Sequence, residues 1–216
     1  MAVTSEDRRE RVTPRSARGI RTRNALIAAA RVVFERDGYL ETRMSDISVQ
    51  AGVAAGSVYT YFEGKEEIFL AIADQVQEEM LHPHLRARTG ITDPRTLIDL
   101  ANREYLRSYA KNAKLMALFE LVAQIDDNFR ARRVERGNAF IRRNAAMIRA
   151  LQEQGLADPE LDPLLTAHAL SGMVSRTAYM AFVLDMPMAF EHLVDTLNRI
   201  WTNALRLGEG GGSAAG

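Results

Sequence analysis

The chain has 216 residues, 47% of them hydrophobic and 26% charged, so it can bury a real core and is neither disordered nor collagen-like. Lys plus Arg and Asp plus Glu are 28 each, so net charge points to no polyanionic partner and only its distribution can. The absence of cysteine excludes a disulfide framework, a thiol nucleophile and a Cys-based metal site. The longest apolar run, Ala178 to Leu184, is far short of the roughly 20 residues needed to span a bilayer. The first 25 residues lack the apolar stretch of a secretory signal. A soluble, cytoplasmic chain without membrane contact is the expectation.

The punctuation throughout is that of helices, and no sustained alternation of apolar and polar residues predicts a strand. The expected fold class is all-α, with about nine helices. Residues 1–20 read as a basic, disordered arm. Six arginines and no acid lie between Arg11 and Phe34. Such an arm can track phosphates, or be a solvated tail.

Thr22 is a candidate cap for a first helix ending near Asp37, with Leu26, Ala29, Ala30, Val33 and Phe34 as its buried stripe. A second helix spans Arg43 to Ala51 and stops at Gly52. A third spans about Ala54 to Phe62. The fourth starts at Lys65, carries Ile68, Phe69, Ile72, Val76 and Met80, and stops before Pro83. Asp93-Pro94, a cap followed by proline in the first turn, opens the fifth, which runs to about Lys111. The sixth covers Lys114 to Ile125 and the seventh Asp127 to Gln154. The eighth opens at Asp162-Pro163 and ends near Asp185. The ninth opens at Pro187 and ends near Leu207, before a flexible tail at 208–216.

Two short helices joined through Ala51-Gly52-Val53 make a helix-turn-helix pattern in TRMSDISVQAGVAAGSVYTYF, residues 42–62. Met44, Ile47, Val53, Val58 and Phe62 are placed to hold both helices on the first. In such motifs the start of the second helix enters the major groove. The small residues Ala54, Ala55 and Gly56 allow close approach, and Ser57 can hydrogen-bond a base or phosphate. Tyr59 and Tyr61 can give hydroxyls to phosphates, and Lys65 a charge.

The stretches TRNALIAAARVVFERDGY, TRMSDISVQAGVAAGSVYTYF and GKEEIF together resemble the DNA-binding domain of the TetR family of bacterial transcriptional regulators. The resemblance covers residues 22–70, about a quarter of the chain. It implies a homodimeric, ligand-responsive regulator, usually a repressor, acting on a palindromic double-stranded DNA operator. It places Thr42, Arg43 and Ser45 near phosphates, Ala55, Gly56, Ser57, Tyr59, Thr60 and Tyr61 on the recognition helix, and Lys65 at the family's lysine position. Ala54 departs from the Ser or Thr cap common in the family, and Gly64 from its Ser or Asn. The domains expected are 21–67 for DNA binding and 68–207 for effector binding and dimerisation.

Helices five to nine carry no comparable signature. Helix eight is apolar nearly all round, which implies burial on two sides. Helix nine has a stripe of Phe190, Leu193, Val194, Leu197, Ile200, Trp201 and Ala204. The two could form a four-helix bundle across a two-fold axis. An effector pocket, taking a small and apolar molecule, would draw on Tyr105, Tyr109, Met116, Phe119, Phe129, Met147, His168, Met173, Arg176 and Tyr179. His168 and Arg176 share roughly one face. They are read as pairing with Glu120 or another acid, ahead of binding a ligand's polar end. The arginines of helix seven (130, 132, 133, 136, 142, 143 and 149) read as a solvated face before an anion site.

No Gly-rich phosphate loop, G-x-S-x-G or H-E-x-x-H occurs, and His82, His84 and His192 lack metal-ligand partners at helical spacing. No cofactor and no metal are expected. The rival reading is an all-α small-molecule-binding protein or enzyme without specific DNA binding.

Overall fold

The computed structural model describes residues 16–81 and 90–208. The arm over 1–15, His82 and His84, and the tail from 209 lie outside the described residues. Nine α-helices and no strand occur among the described residues. They are α1 (Ala17–Asp37), α2 (Met44–Gln50), α3 (Ala55–Val58), α4 (Lys65–Leu81), α5 (Pro94–Lys111), α6 (Ala113–Ile125), α7 (Asp127–Glu153), α8 (Pro163–Phe182) and α9 (Phe190–Ala204). None is long and apolar enough to cross a membrane. The chain divides into two compact units between Gln75 and Val76, a boundary inside α4.

In the first unit α1 packs on α2, and α2 on α3. The helix α1 begins earlier than its apolar stripe suggests. Ser16 is the cap, its Oγ accepting from the Gly19 N–H at 3.1 Å, and Thr22 instead donates to the Arg18 carbonyl. The last four residues read as arm are therefore its first turn. Leu26, Ala30, Val33 and Phe34 are fully buried, as are Ile47, Val58, Phe62, Ile68 and Phe69. Phe34, Tyr39 and Phe69 form an aromatic cluster, with ring centroids 5.7 Å apart for Phe34–Tyr39, 5.1 Å for Phe34–Phe69 and 4.8 Å for Tyr39–Phe69.

In the second unit α8 packs on α5, α6 and α7, and α9 packs on α5. Both Asp-Pro signals hold. Asp93 accepts from Thr96 N–H at 2.9 Å, and Asp162 from Leu165 N–H at 2.7 Å. A polar ladder fixes α9 on α5. Asn102 donates to Asn198 at 2.9 Å, Asn198 to Asp99 at 2.6 Å, and Arg103 to Glu191 at 2.5 Å. The helix α9 starts at Phe190, three residues after Pro187, with no side-chain cap. Trp201 of α9 is buried, and its indole N–H meets no acceptor among the described residues. Ile200, part of the apolar stripe of this helix, is 40% exposed on the single chain.

Candidate nucleic-acid interface and ligand site

The turn between α2 and α3 is made by backbone geometry. Gly52 has φ +65°, the left-handed region favoured by glycine. The Val53 N–H reaches back to the Ser48 carbonyl at 3.1 Å, closing α2 in a glycine-terminated motif. Ala54 then has the extended geometry of a cap, φ −62° and ψ 141°, but no side-chain group to fill that role. The helix that follows is a single turn. Tight i→i+3 bonds continue it, Thr60 N–H to Ser57 and Tyr61 N–H to Val58 at 3.2 and 3.0 Å. The helix read over Ala54 to Phe62 is thus helical only from Ala55 to Val58. Ala54→Ser should stabilise this unit by about 1 kcal/mol, since a hydroxyl there can accept from an orphan N–H. Thermal unfolding of the variant beside the wild type measures this.

Val58 and Phe62 anchor the turn inward, while Ala55, Gly56, Tyr59 and Thr60 are exposed and Ser57 and Tyr61 half-exposed. Tyr59 is 54% exposed, unusual for so large a ring. On α2 and its cap, Arg43 and Ser45 are exposed. The Arg43 N–H donates to Asp46 at 3.0 Å, which sets the first turn. The Arg23 guanidinium lies 5.0 Å over the Phe62 ring, so α1 braces the segment after α3.

Two candidates face inward. Thr42 is 2% exposed and its hydroxyl donates to the Gly38 carbonyl at 2.6 Å. Lys65 is half-buried, and its ammonium donates to the carbonyls of Tyr39, Leu40 and Thr42 at 2.9, 2.9 and 3.1 Å. Sequence reasoning offered the Lys65 charge to a phosphate because the residue follows the motif at the head of a helix. The converging carbonyls come from more than twenty residues upstream and leave no local signal.

In the second unit the predicted ligand residues separate into interior and surface. Tyr109 is 1% exposed, and its ring lies 5.9 Å from Tyr105 and 6.3 Å from Phe182. Tyr105 also neighbours Phe140 at 6.3 Å. Burial pushes both phenols above their ordinary range, opposed at Tyr105 by a hydrogen bond with Ser175. Phe119 and Phe129 are buried against each other, centroids 5.8 Å apart, and Met116, Met147, Met173 and Tyr179 are half-buried.

His168 and Arg176 are exposed, contrary to the burial expected of them. On the single chain α8 presents Leu164, Leu165, His168, Ala169, Gly172 and Arg176 outward, so one of the two sides expected to be covered is left for a partner. The Arg176 guanidinium lies 5.2 Å over the Tyr179 ring. Glu120 pairs instead with Arg133 of α7, through two hydrogen bonds, one of 2.9 Å. Arg133, on the helix read as a solvated face, is thus tied to α6 by an ion pair.

The Arg133 hydrogen bonds hold the Glu120 carboxyl below its ordinary value of 4.5, with burial opposing. A depressed carboxylate stabilises the fold fully above that ordinary value, and the contribution is lost as pH falls through the depressed one. Wild-type unfolding temperature should therefore fall more steeply below about pH 4.5 than that of Glu120→Gln. Both groups are more than a third exposed, so solvent screening keeps the difference to about 0.5–1 kcal/mol. Equal pH profiles would dismiss the pair as a contributor.

Comparison with known proteins gives two family matches. A family model described as bacterial regulatory proteins, tetR family, matches residues 26–72. Another, described as the C-terminal domain of the transcriptional regulator EthR, matches residues 100–206. The chain is 25% identical over 207 residues to the HTH-type transcriptional regulator EthR of Mycolicibacterium smegmatis, covering 89% of this chain and 92% of that protein. Among solved structures, the fatty acid degradation regulator FadR of Bacillus halodurans superposes with a TM-score of 0.75 at 21% identity, over 87% of this chain and 97% of that one. A transcriptional regulator of Saccharomonospora viridis, solved in complex with choline, superposes with a TM-score of 0.72 at 17% identity, over 84% and 95%. At these identities the two structures speak for the fold.

Proposed function

The chain belongs to the TetR family of bacterial transcriptional regulators and is not an enzyme, and from that premise we propose that it is a ligand-responsive repressor. It binds a palindromic operator as a homodimer and leaves it when a small, mainly apolar effector binds. One observation carries the reading: Arg43, Ser45, Ala55, Gly56, Tyr59 and Thr60 share exposure along the two helices of the motif and the residues that flank them, while Ile47, Val58 and Phe62 are buried. The small residues admit the backbone to the groove, Ser57 and Thr60 offer hydroxyls, and Arg43, Ser45, Tyr59 and Tyr61 serve phosphates. Base discrimination then leans on methyl contacts and duplex shape more than on side-chain hydrogen bonds. Thr42 takes part only by shaping the connection before α2.

Dimerisation uses the outward faces of α8 and α9, where Leu164, Leu165 and Ile200 are 46%, 70% and 40% exposed. Two helices from each subunit form the bundle. Recognition helices about 34–36 Å apart then meet successive major grooves. The effector is held by residues around Tyr105, Tyr109, Met116, Phe119, Met173 and Tyr179. His168 and Arg176, exposed on α8, fit the dimer face better than the effector site. The helix α4 belongs to both units, so an effector that displaces it changes the reading heads. Only an effector that prefers the released state can do this.

The test is selection of random duplex DNA by the purified protein, followed by salt titration of the winning duplex. A palindromic winner whose affinity falls steeply with salt is expected. No enrichment at any salt would overturn the reading. Arg43→Ala should weaken binding to all duplexes alike and reduce the salt slope by about one phosphate contact. An unchanged slope would take Arg43 off the phosphate backbone.

A further inference from the structure

A cation is an odd choice for the first turn of a helix, whose free N–H groups favour negative charge. Glu66 and Glu67, the next two residues of α4, obey that rule. Lys65 escapes it by turning its ammonium away from its own helix. An ammonium has three hydrogens to give. Those of Lys65 are matched by the carbonyls of Tyr39, Leu40 and Thr42, all in the connection between α1 and α2. The same ammonium lies 4.9 Å over the Tyr39 ring, which packs on Phe34 of α1 and Phe69 of α4. The next residue after these carbonyls is Arg43, the cap of α2.

We infer that Lys65 is a positioning residue and not a phosphate ligand: it gathers the α1–α2 connection onto the head of α4 and so sets where Arg43 and Ser45 stand. This rests on the DNA-binding reading above. It makes the start of α4 and the start of α2 one mechanical piece, so a displacement of α4 is delivered to the phosphate-facing end of α2. The geometry also asks for lysine. Three converging carbonyls suit a compact ammonium, and the planar, diverging fork of arginine does not fit them.

The experiment compares wild type, Lys65→Met and Lys65→Arg on the selected duplex across a salt series. Positioning predicts at least a tenfold loss of affinity in both variants, at every salt, with the wild-type salt slope retained. A phosphate ligand predicts a slope reduced by about one contact in Lys65→Met and near-normal binding in Lys65→Arg. Either of those results, or unchanged affinity in both variants, overturns the inference. Amide hydrogen exchange on the full chain reads the same claim without DNA. Residues 43–47 should exchange at least tenfold faster in both variants, and unchanged exchange overturns it. Lys65→Arg keeps charge and length should Lys65→Met fold poorly. If the wild type itself enriches no duplex, the DNA-binding reading fails, and the exchange comparison still decides whether Lys65 holds the connection.

Discussion

Phe34→Ala should cost the first unit about 3–5 kcal/mol, the range for truncating a buried phenylalanine. Phe34 is fully buried, and its ring joins the Tyr39 connection to α4 through Phe69. Stability per residue in globular domains is about 0.05–0.15 kcal/mol, so a loss of that size is a large share of what a unit of this size has. The expected outcome is loss of duplex binding with most helical signal retained from the larger second unit. Hydrogen exchange should show the loss of protection concentrated in residues 26–72. A variant that melts within about 1 kcal/mol of wild type would show that the aromatic cluster relaxes around the gap.

Gly52→Val should abolish operator binding for a different reason. An added Cβ at Gly52 meets nothing within 4 Å, so no clash is involved. The cost is conformational: a left-handed residue with a Cβ is strained by about 1–2 kcal/mol, and β-branching adds to that. Relief would come from opening the turn, which breaks the Val53-to-Ser48 bond and swings α3 off α2. Gly52→Asn should keep a substantial part of the binding, because asparagine tolerates this region. Gly56→Ala is the control for folding, since its φ lies outside that region and an added Cβ there also meets open space. Binding by Gly52→Val comparable to wild type would mean that the turn is not held in this geometry on DNA.

Much of the helical plan was legible because its signals are local. Asp93-Pro94 and Asp162-Pro163 announce α5 and α8, and the run from Lys65 to Met80 shows the apolar period of α4. The start of α1 was hidden because Ser16 sits among arginines, before the apolar stripe begins. The shortness of α3 was hidden because its apolar spacing continues through Phe62 although the backbone has tightened into turns. The exposed row on α2 and α3 could be read from the motif. The inward turn of Lys65 and the Glu120–Arg133 pair could not. Each joins residues whose proximity is set by tertiary packing, 13 to 26 positions apart in sequence. His168 and Arg176 were misplaced because an apolar helix does not tell which of its faces is covered by its own chain.

The chain contains a single tryptophan, Trp201, buried on α9 with its indole N–H unpaired by any described residue. Its emission therefore reports on one place, in the second unit, with no indole in the reading unit to mask it. On the proposed function an operator duplex contacts the first unit, so a change in Trp201 fluorescence on adding it is the expected optical record of transmission between the two. Linkage makes the signal quantitative. For any effector that weakens duplex binding, the duplex must weaken that effector's binding by the same factor, and both titrations are expected to be followed through the same indole.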